Sequence, residues 1–257
     1  MRNKRKPWDP RGIPARIAAA ALLLLVWQAA AWALHNPLLL VGPGQVALRL
    51  VQMVGEGWFW RSLGATFSRV IGGFLLALVL AAVLAALSAR FPLSETLLRP
   101  YVAVIRSVPV VSFIVIALLW LSSRRISIFI AFLMVFPGLY AGLLQGIRAA
   151  DGELLEMARV FGVPAARRVR SIYLPAVREP LLSACAVALG LCWKAGVAAE
   201  VIAVAAGSVG GRLYDAKAYL EIADLFAWTV VIVAVSALFE RLFVALLGRA
   251  LDAWEAL

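Results

Sequence analysis

Six apolar runs of membrane-spanning length, at 15–34, 67–87, 102–121, 126–147, 181–206 and 225–247, constrain this chain more than any other feature. A helix needs about 20 apolar residues to cross the roughly 30 Å hydrocarbon layer of a bilayer, and each run reaches that length. None alternates with period two, as barrel strands do. The expected fold is therefore all-α and polytopic, with about six transmembrane helices. Composition agrees: 64% of residues are hydrophobic and the mean hydropathy is +0.93. Soluble domains hold 45–50% apolar residues, so the surplus side chains must face lipid. The fifth run is the least uniform, because Lys194 and Glu200 interrupt it.

The formal charge of +11 raises nucleic acid as a partner, and its distribution argues against one. Basic residues cluster in the short segments between apolar runs, and no basic amphipathic domain is present. They read instead as topology signals, because Lys and Arg concentrate in cytoplasmic loops. With the N-terminus inside, seventeen of the 25 basic residues fall on the cytoplasmic side and seven outside, Arg69 among the latter; Lys194 lies within a span. Both termini are then cytoplasmic. Residues 1–14 read as a basic tail, and 15–257 as a single membrane domain with its core at 67–247. The triplet Ala31-Trp32-Ala33 resembles a signal-peptidase site, but the preceding apolar stretch exceeds the 7–15 residues of a signal core, so the first run reads as a span.

Several chemistries lack the residues they need. Cys185 and Cys192 are seven apart in one apolar run, about 10 Å along a helix axis and too far for a disulfide, so they read as small packed residues. His35 is the single histidine, and no Cys/His cluster supports zinc or haem. A phosphate-binding P-loop needs Gly-Lys followed by Ser or Thr. The four lysines, Lys4, Lys6, Lys194 and Lys217, follow Asn, Arg, Trp and Ala. No cofactor is expected in this chain, and any ATP must be held by another one.

Two connections carry more pattern than a plain loop. Val46, Leu50, Met53 and Val54 keep helical spacing beside Arg49 and Gln52, which predicts an amphipathic helix on the outer face. Between the fifth and sixth runs, Gly207-Ser208-Val209-Gly210-Gly211 precedes a mixed stretch to Asp224. Glycines permit a tight change of direction there, so a short re-entrant element and a plain loop both fit.

The longest cytoplasmic connection, 148–178, has the pattern of a docking element. Leu154, Leu155, Ala158 and Phe161 form an apolar stripe at helical spacing, closed by Gly162 where a left-handed cap is expected. Pro164 suits the first turn of a second helix and Pro175 its end. Two short helices would then meet at a glycine corner, surrounded by basic side chains including Arg167 and Arg168. This loop resembles the EAA loop of binding-protein-dependent ABC permeases, E-A-A-x3-G-x9-I-x-L-P. Glu156, Ala158, Gly162, Ile172, Leu174 and Pro175 match with every spacer length kept, and Met157 replaces one alanine. The likeness covers about 36–247. Ser68-Arg69-Val70-Ile71-Gly72-Gly73-Phe74, Arg106-Ser107-Val108-Pro109 and Ala198-Ala199-Glu200-Val201-Ile202 resemble the nitrate, sulfonate, taurine and bicarbonate branch.

The resemblance implies a permease in a bacterial inner membrane, paired with a second copy and surrounded by lipid. An external solute-binding protein would deliver a small solute, an anion by preference. Separate ATPase subunits would bind the ATP and receive the EAA loop. Four polar residues are candidates for the pathway. Lys194, deep in its span, is a positive lining, one half of a structural pair or a residue snorkelling toward water, since about 2.5–3.5 kcal/mol opposes its exposure to lipid. Glu200 lies about 120° around the helix from it, which disfavours a bond between the two. Arg106 and Ser107 begin the third run, and Arg106 reads either as a positive-inside flank or as a solute contact. A secondary transporter would show an internal repeat, and a membrane enzyme paired carboxylates; neither pattern is found.

Overall fold

The computed structural model describes residues 12–36 and 38–256, so most of the basic tail at 1–14 lies outside the described residues. All regular structure among these residues is helical: α1 Gly12–Leu34, α2 Pro43–Val54, α3 Gly57–Arg90, α4 Pro92–Ser107, α5 Val110–Ala117, α6 Ser123–Arg148, α7 Gly152–Val160, α8 Ala165–Arg168, α9 Leu174–Ile202, α10 Val209–Ala218 and α11 Ile222–Ala256. Among the described residues, five helical stretches are long and apolar enough to cross a membrane. A sixth crossing exists if the bent pair α4 and α5 counts as one.

The core is a three-helix sandwich of α3, α6 and α9. Gly146 meets Val177 and Pro180 while Gly196 meets Ser127 and Val70, so α6 and α9 run antiparallel. Small residues set this closeness: Ala77, Ala81 and Ala85 repeat every fourth position on α3 and are fully buried. Gly73 abuts the Ile128 carbonyl, where a Cβ would collide with backbone. Lipid removes most of the hydrophobic drive between membrane helices, so backbone approach and dispersion hold them together. Cys185 and Cys192 are both free and buried in this core.

Several expected boundaries shift. The second run extends to the whole of α3, which places Arg69 twelve residues inside a helix and not in an outer loop. The third run is not one straight span. Pro109 disfavours α geometry in the residue before it, Val108 is extended at φ −79 and ψ 132, and α4 meets α5 at 101°. Pro175 does not end the second loop helix. Helix continues from Ala165 to Ile202, and a π-helical turn, Val169–Tyr173, makes room. There the Leu174 N–H donates to Val169 O, five residues back, in the widened turn that directly precedes the proline ring.

The fifth run closes at Ile202, short of residue 206, in a Schellman cap. Ala205 N–H donates to Glu200 O at 2.9 Å, and Val204 occupies the left-handed position at φ +48. The segment after it is a helix, α10, and not a plain loop. The predicted amphipathic helix is α2, with Val46 and Met53 buried, Leu50 packed and Val54 exposed. It packs on protein: Arg49 pairs with Asp224 of α11, and Phe59 stacks on Trp228 beneath it at 5.1 Å. Helix α1 touches the rest mainly through Trp27, which donates to Val41 O at 3.0 Å and meets Phe226 at 5.5 Å.

Candidate coupling loop and pathway face

Helix α7 starts where Asp151 accepts hydrogen bonds from the Glu153 and Leu154 N–H groups, at 2.9 and 3.4 Å. That cap and the adjacent Glu153 suit the positive end of a helix. The helix stops in a second Schellman cap. Val163 N–H donates to Ala158 O at 2.8 Å, and Gly162 takes φ +64 at the corner. Pro164 stands one position ahead of α8 as its N-cap, and not within its first turn.

The apolar stripe of α7 divides. Ala158 is buried and Leu155 half-buried against the membrane helices. Leu154, Met157, Val160 and Phe161 point away from the chain, with exposures of 43%, 51%, 79% and 77%. Glu156, Arg159 and Arg167 are exposed around them. Ile172 and Leu174 are half-buried, Pro175 is exposed, and the Nε of half-buried Arg168 has no hydrogen-bond partner among the described residues. The corner therefore presents an apolar ridge ringed by charge.

The polar candidates within the spans separate into two groups. Arg106 lies at the break between α4 and α5 and donates to Pro137 O at 3.0 Å, about halfway along α6. Ser107 Oγ turns back to Val104 O at 3.2 Å. Lys194 is exposed on the face of α9 that carries Val187 and Leu191, and it has no hydrogen-bond or ion-pair partner among the described residues. Two hollows flank α6 below it. One, of about 350 Å3, lies between α6 and α9 and is lined by Gly138, Gln145 and Ser183. The other, of about 540 Å3, holds Arg106 and also reaches Gln145. Arg106, Gln145 and Ser183 line these hollows, and Lys194 extends the polar strip beyond Leu191 on the same face of α9.

Glu200 is elsewhere. It is fully buried, and three donors from two other helices converge on it: Thr66 Oγ1 at 2.7 Å, Arg69 NH1 at 3.1 Å and the Gly210 N–H at 3.2 Å. Thr66 also accepts from Val209 N–H at 2.9 Å, and Ser208 from Gly211 N–H at 3.0 Å. The first three N–H groups of α10 are therefore all bonded, as a helix start shielded from water requires. A Cβ on Gly210 would overlap Glu200, so glycine is needed for this approach. Sequence reasoning missed Thr66 and Arg69. The available signal was Arg69 itself, a cation inside the second apolar run with no carboxylate near it in sequence. No group of three or more metal-ligating side chains exists among the described residues.

The fold and this loop define a multi-pass helical membrane protein with one ordered, outward-facing amphipathic corner between two long spans. The chain belongs to the binding-protein-dependent transport system inner membrane component family, which matches residues 73–254. It is an ABC transporter permease of the branch suggested by its motifs. It is 30% identical to a protein of Brucella abortus (strain 2308) named "Probable ABC transporter permease protein", over 84% of this chain and 86% of that one. It is 25% identical to the taurine transport system permease protein of Escherichia coli (strain K12), over 99% and 96%. It is 28% identical to the riboflavin transport system permease protein of Chloroflexus aurantiacus, over 98% and 93%.

Proposed function

We propose that the chain is the translocating half of an ATP-driven importer, that it pairs with a second copy, and that it couples to a separate ATPase through α7. The observation that carries the coupling is the outward ridge of Leu154, Met157, Val160 and Phe161. A short, capped helix does not leave four large apolar side chains in water without reason; such a patch marks a surface that a partner covers. Closing and opening of the paired ATPases would move α7, and the helix running unbroken from Ala165 to Ile202 would carry that motion into the membrane. ATP is bound and hydrolysed in the partner, and this chain acts as a conduit and not as an enzyme.

The strip of Arg106, Gln145, Ser183 and Lys194 is the proposed pathway face, completed by the same face of the second copy. Two cations without carboxylate partners among the described residues favour a small anion, such as a sulfonate. The relatives' names cover taurine, which bears a sulfonate, and riboflavin, a neutral vitamin, so the preference rests on Lys194 and Arg106. A solute-binding protein outside the membrane would deliver the solute, with both termini of the chain in the cytoplasm.

The coupling is tested by Phe161→Glu and Gly162→Val in the full chain, with ATPase recruitment measured after membrane extraction. A buried aromatic anchor contributes about 2 kcal/mol or more to an interface, so Phe161→Glu should weaken recruitment at least about tenfold. Gly162→Val forces a β-branched side chain to φ +64, at a cost of about 1–2 kcal/mol or more, and should act in the same direction. Full recruitment by inserted, stable variants would remove α7 as the coupling element.

A further inference from the structure

A third hollow, of about 550 Å3, lies behind the coupling corner and has no part in the pathway strip. Its volume is in the range of small-ligand sites. Ala82, Ala86 and Ala89, on successive turns of α3, form one wall and leave the space that larger side chains would fill. Ile147 of α6 and Val177 of α9 continue the apolar lining, while Leu155 of α7 and Tyr173 of the π-helical turn close the end nearest the corner. The hollow is thus apolar along the ends of three spans and open beside a loop.

Its mouth is cationic. Arg90 and Arg148 stand there. Arg148 is bonded through two nitrogens to Glu95, which neutralises it. Arg90 lies over the Phe91 ring at 5.3 Å and has no carboxylate partner among the described residues. An apolar chamber at the end of the spans with one uncompensated guanidinium at its edge matches an anionic amphiphile. A zwitterionic lipid would place its own cation near Arg90, and a purely apolar helix would leave the guanidinium unpaired.

We propose that this hollow holds one acyl chain of an anionic membrane phospholipid, with the lipid phosphate on Arg90. Basic pockets between membrane helices recognise anionic head groups by this chemistry. Because Leu155 and Tyr173 form part of the wall, an occupied site braces the coupling corner against α3 and α6. That consequence rests on the coupling role proposed above; the lipid site does not.

The test uses the full chain in nanodiscs of phosphatidylcholine alone or of three parts phosphatidylcholine to one part phosphatidylglycerol, followed by detergent extraction. Native mass spectrometry then counts the lipid retained on each protomer, with no ATPase present. The wild type should keep phosphatidylglycerol in preference to phosphatidylcholine. Arg90→Gln should lower that retention about fivefold, the effect of one cation at an anionic surface, and Arg90→Lys should largely keep it. Ala86→Phe, which fills the chamber, should lower it without touching the charge. Equal retention of the two lipids by the wild type would overturn the proposal, as would unchanged phosphatidylglycerol retention in Arg90→Gln. Loss in Arg90→Gln with full retention in a folded Ala86→Phe would place the lipid outside the hollow and also overturn it. Should Ala86→Phe not fold, the Gln and Lys variants at Arg90 decide the matter.

Discussion

Lys194 stands on a helix face it shares with Val187 and Leu191, and no anion among the described residues of its own protomer meets it. A lysine at that depth costs about 2.5–3.5 kcal/mol against lipid, so the face it occupies is wet or covered. Spacing alone showed its depth and its angular separation from Glu200. It could not tell a pathway lysine from half of a structural pair, because the answer depends on which other helix is adjacent. Among the described residues no helix offers such a partner, which is consistent with the pathway face proposed above. Replacing Lys194 with Met keeps the length and removes the charge. Uptake of a sulfonate should fall about tenfold or more, the value of a charge-assisted contact, while the melting temperature is held or rises. A variant that melts early but transports normally would make the residue structural.

Helix α10 is held at its start by groups from three directions, and those bonds were not visible in the sequence. Periodicity finds a helix that buries one face, but Val209–Ala218 carries two glycines in its first turn and owes its placement to Thr66, Arg69 and Glu200. Arg69 and Glu200 are 131 positions apart, and no local pattern links them. The breaks in the spans were legible only in part. Pro109 stands at the start of α5, directly after the break, and Pro175, expected as a terminator, is absorbed by a π-helical turn. The buried pair makes a prediction for the element as a whole. Removing one member leaves the other charge unpaired inside the protein, so Glu200→Ala should destabilise by about 3–5 kcal/mol and loosen α10 with it. Adding Arg69→Met to that variant should recover much of the loss. Hydrogen exchange at Val209 to Gly211, with thermal melting, checks both. Unchanged exchange in Glu200→Ala would mean that packing alone seats α10.

The molecule as a whole was the most legible scale, because hydropathy and charge act over long windows. Five of six apolar runs correspond to membrane-length helices, and the third to a bent pair. Orientation can be measured directly, since Cys185 and Cys192 are buried and contribute little background to thiol labelling. A cysteine at Tyr219, which is 76% exposed, should react with an impermeant reagent added outside sealed cells, and one at Arg167 only after the membrane is opened. The reverse pattern would invert the topology. The helix from Ala165 to Ile202 is 38 residues and about 57 Å long. Its π-helical turn makes that rod a matter of angular phase. One extra residue in the turn offsets everything before it by about 100° relative to an uninterrupted helix. The azimuth at which this rod leads into the Gly162 corner therefore depends on a residue count as well as on packing. A single deletion within Val169–Tyr173 could leave the membrane half untouched and still aim the corner at empty solvent.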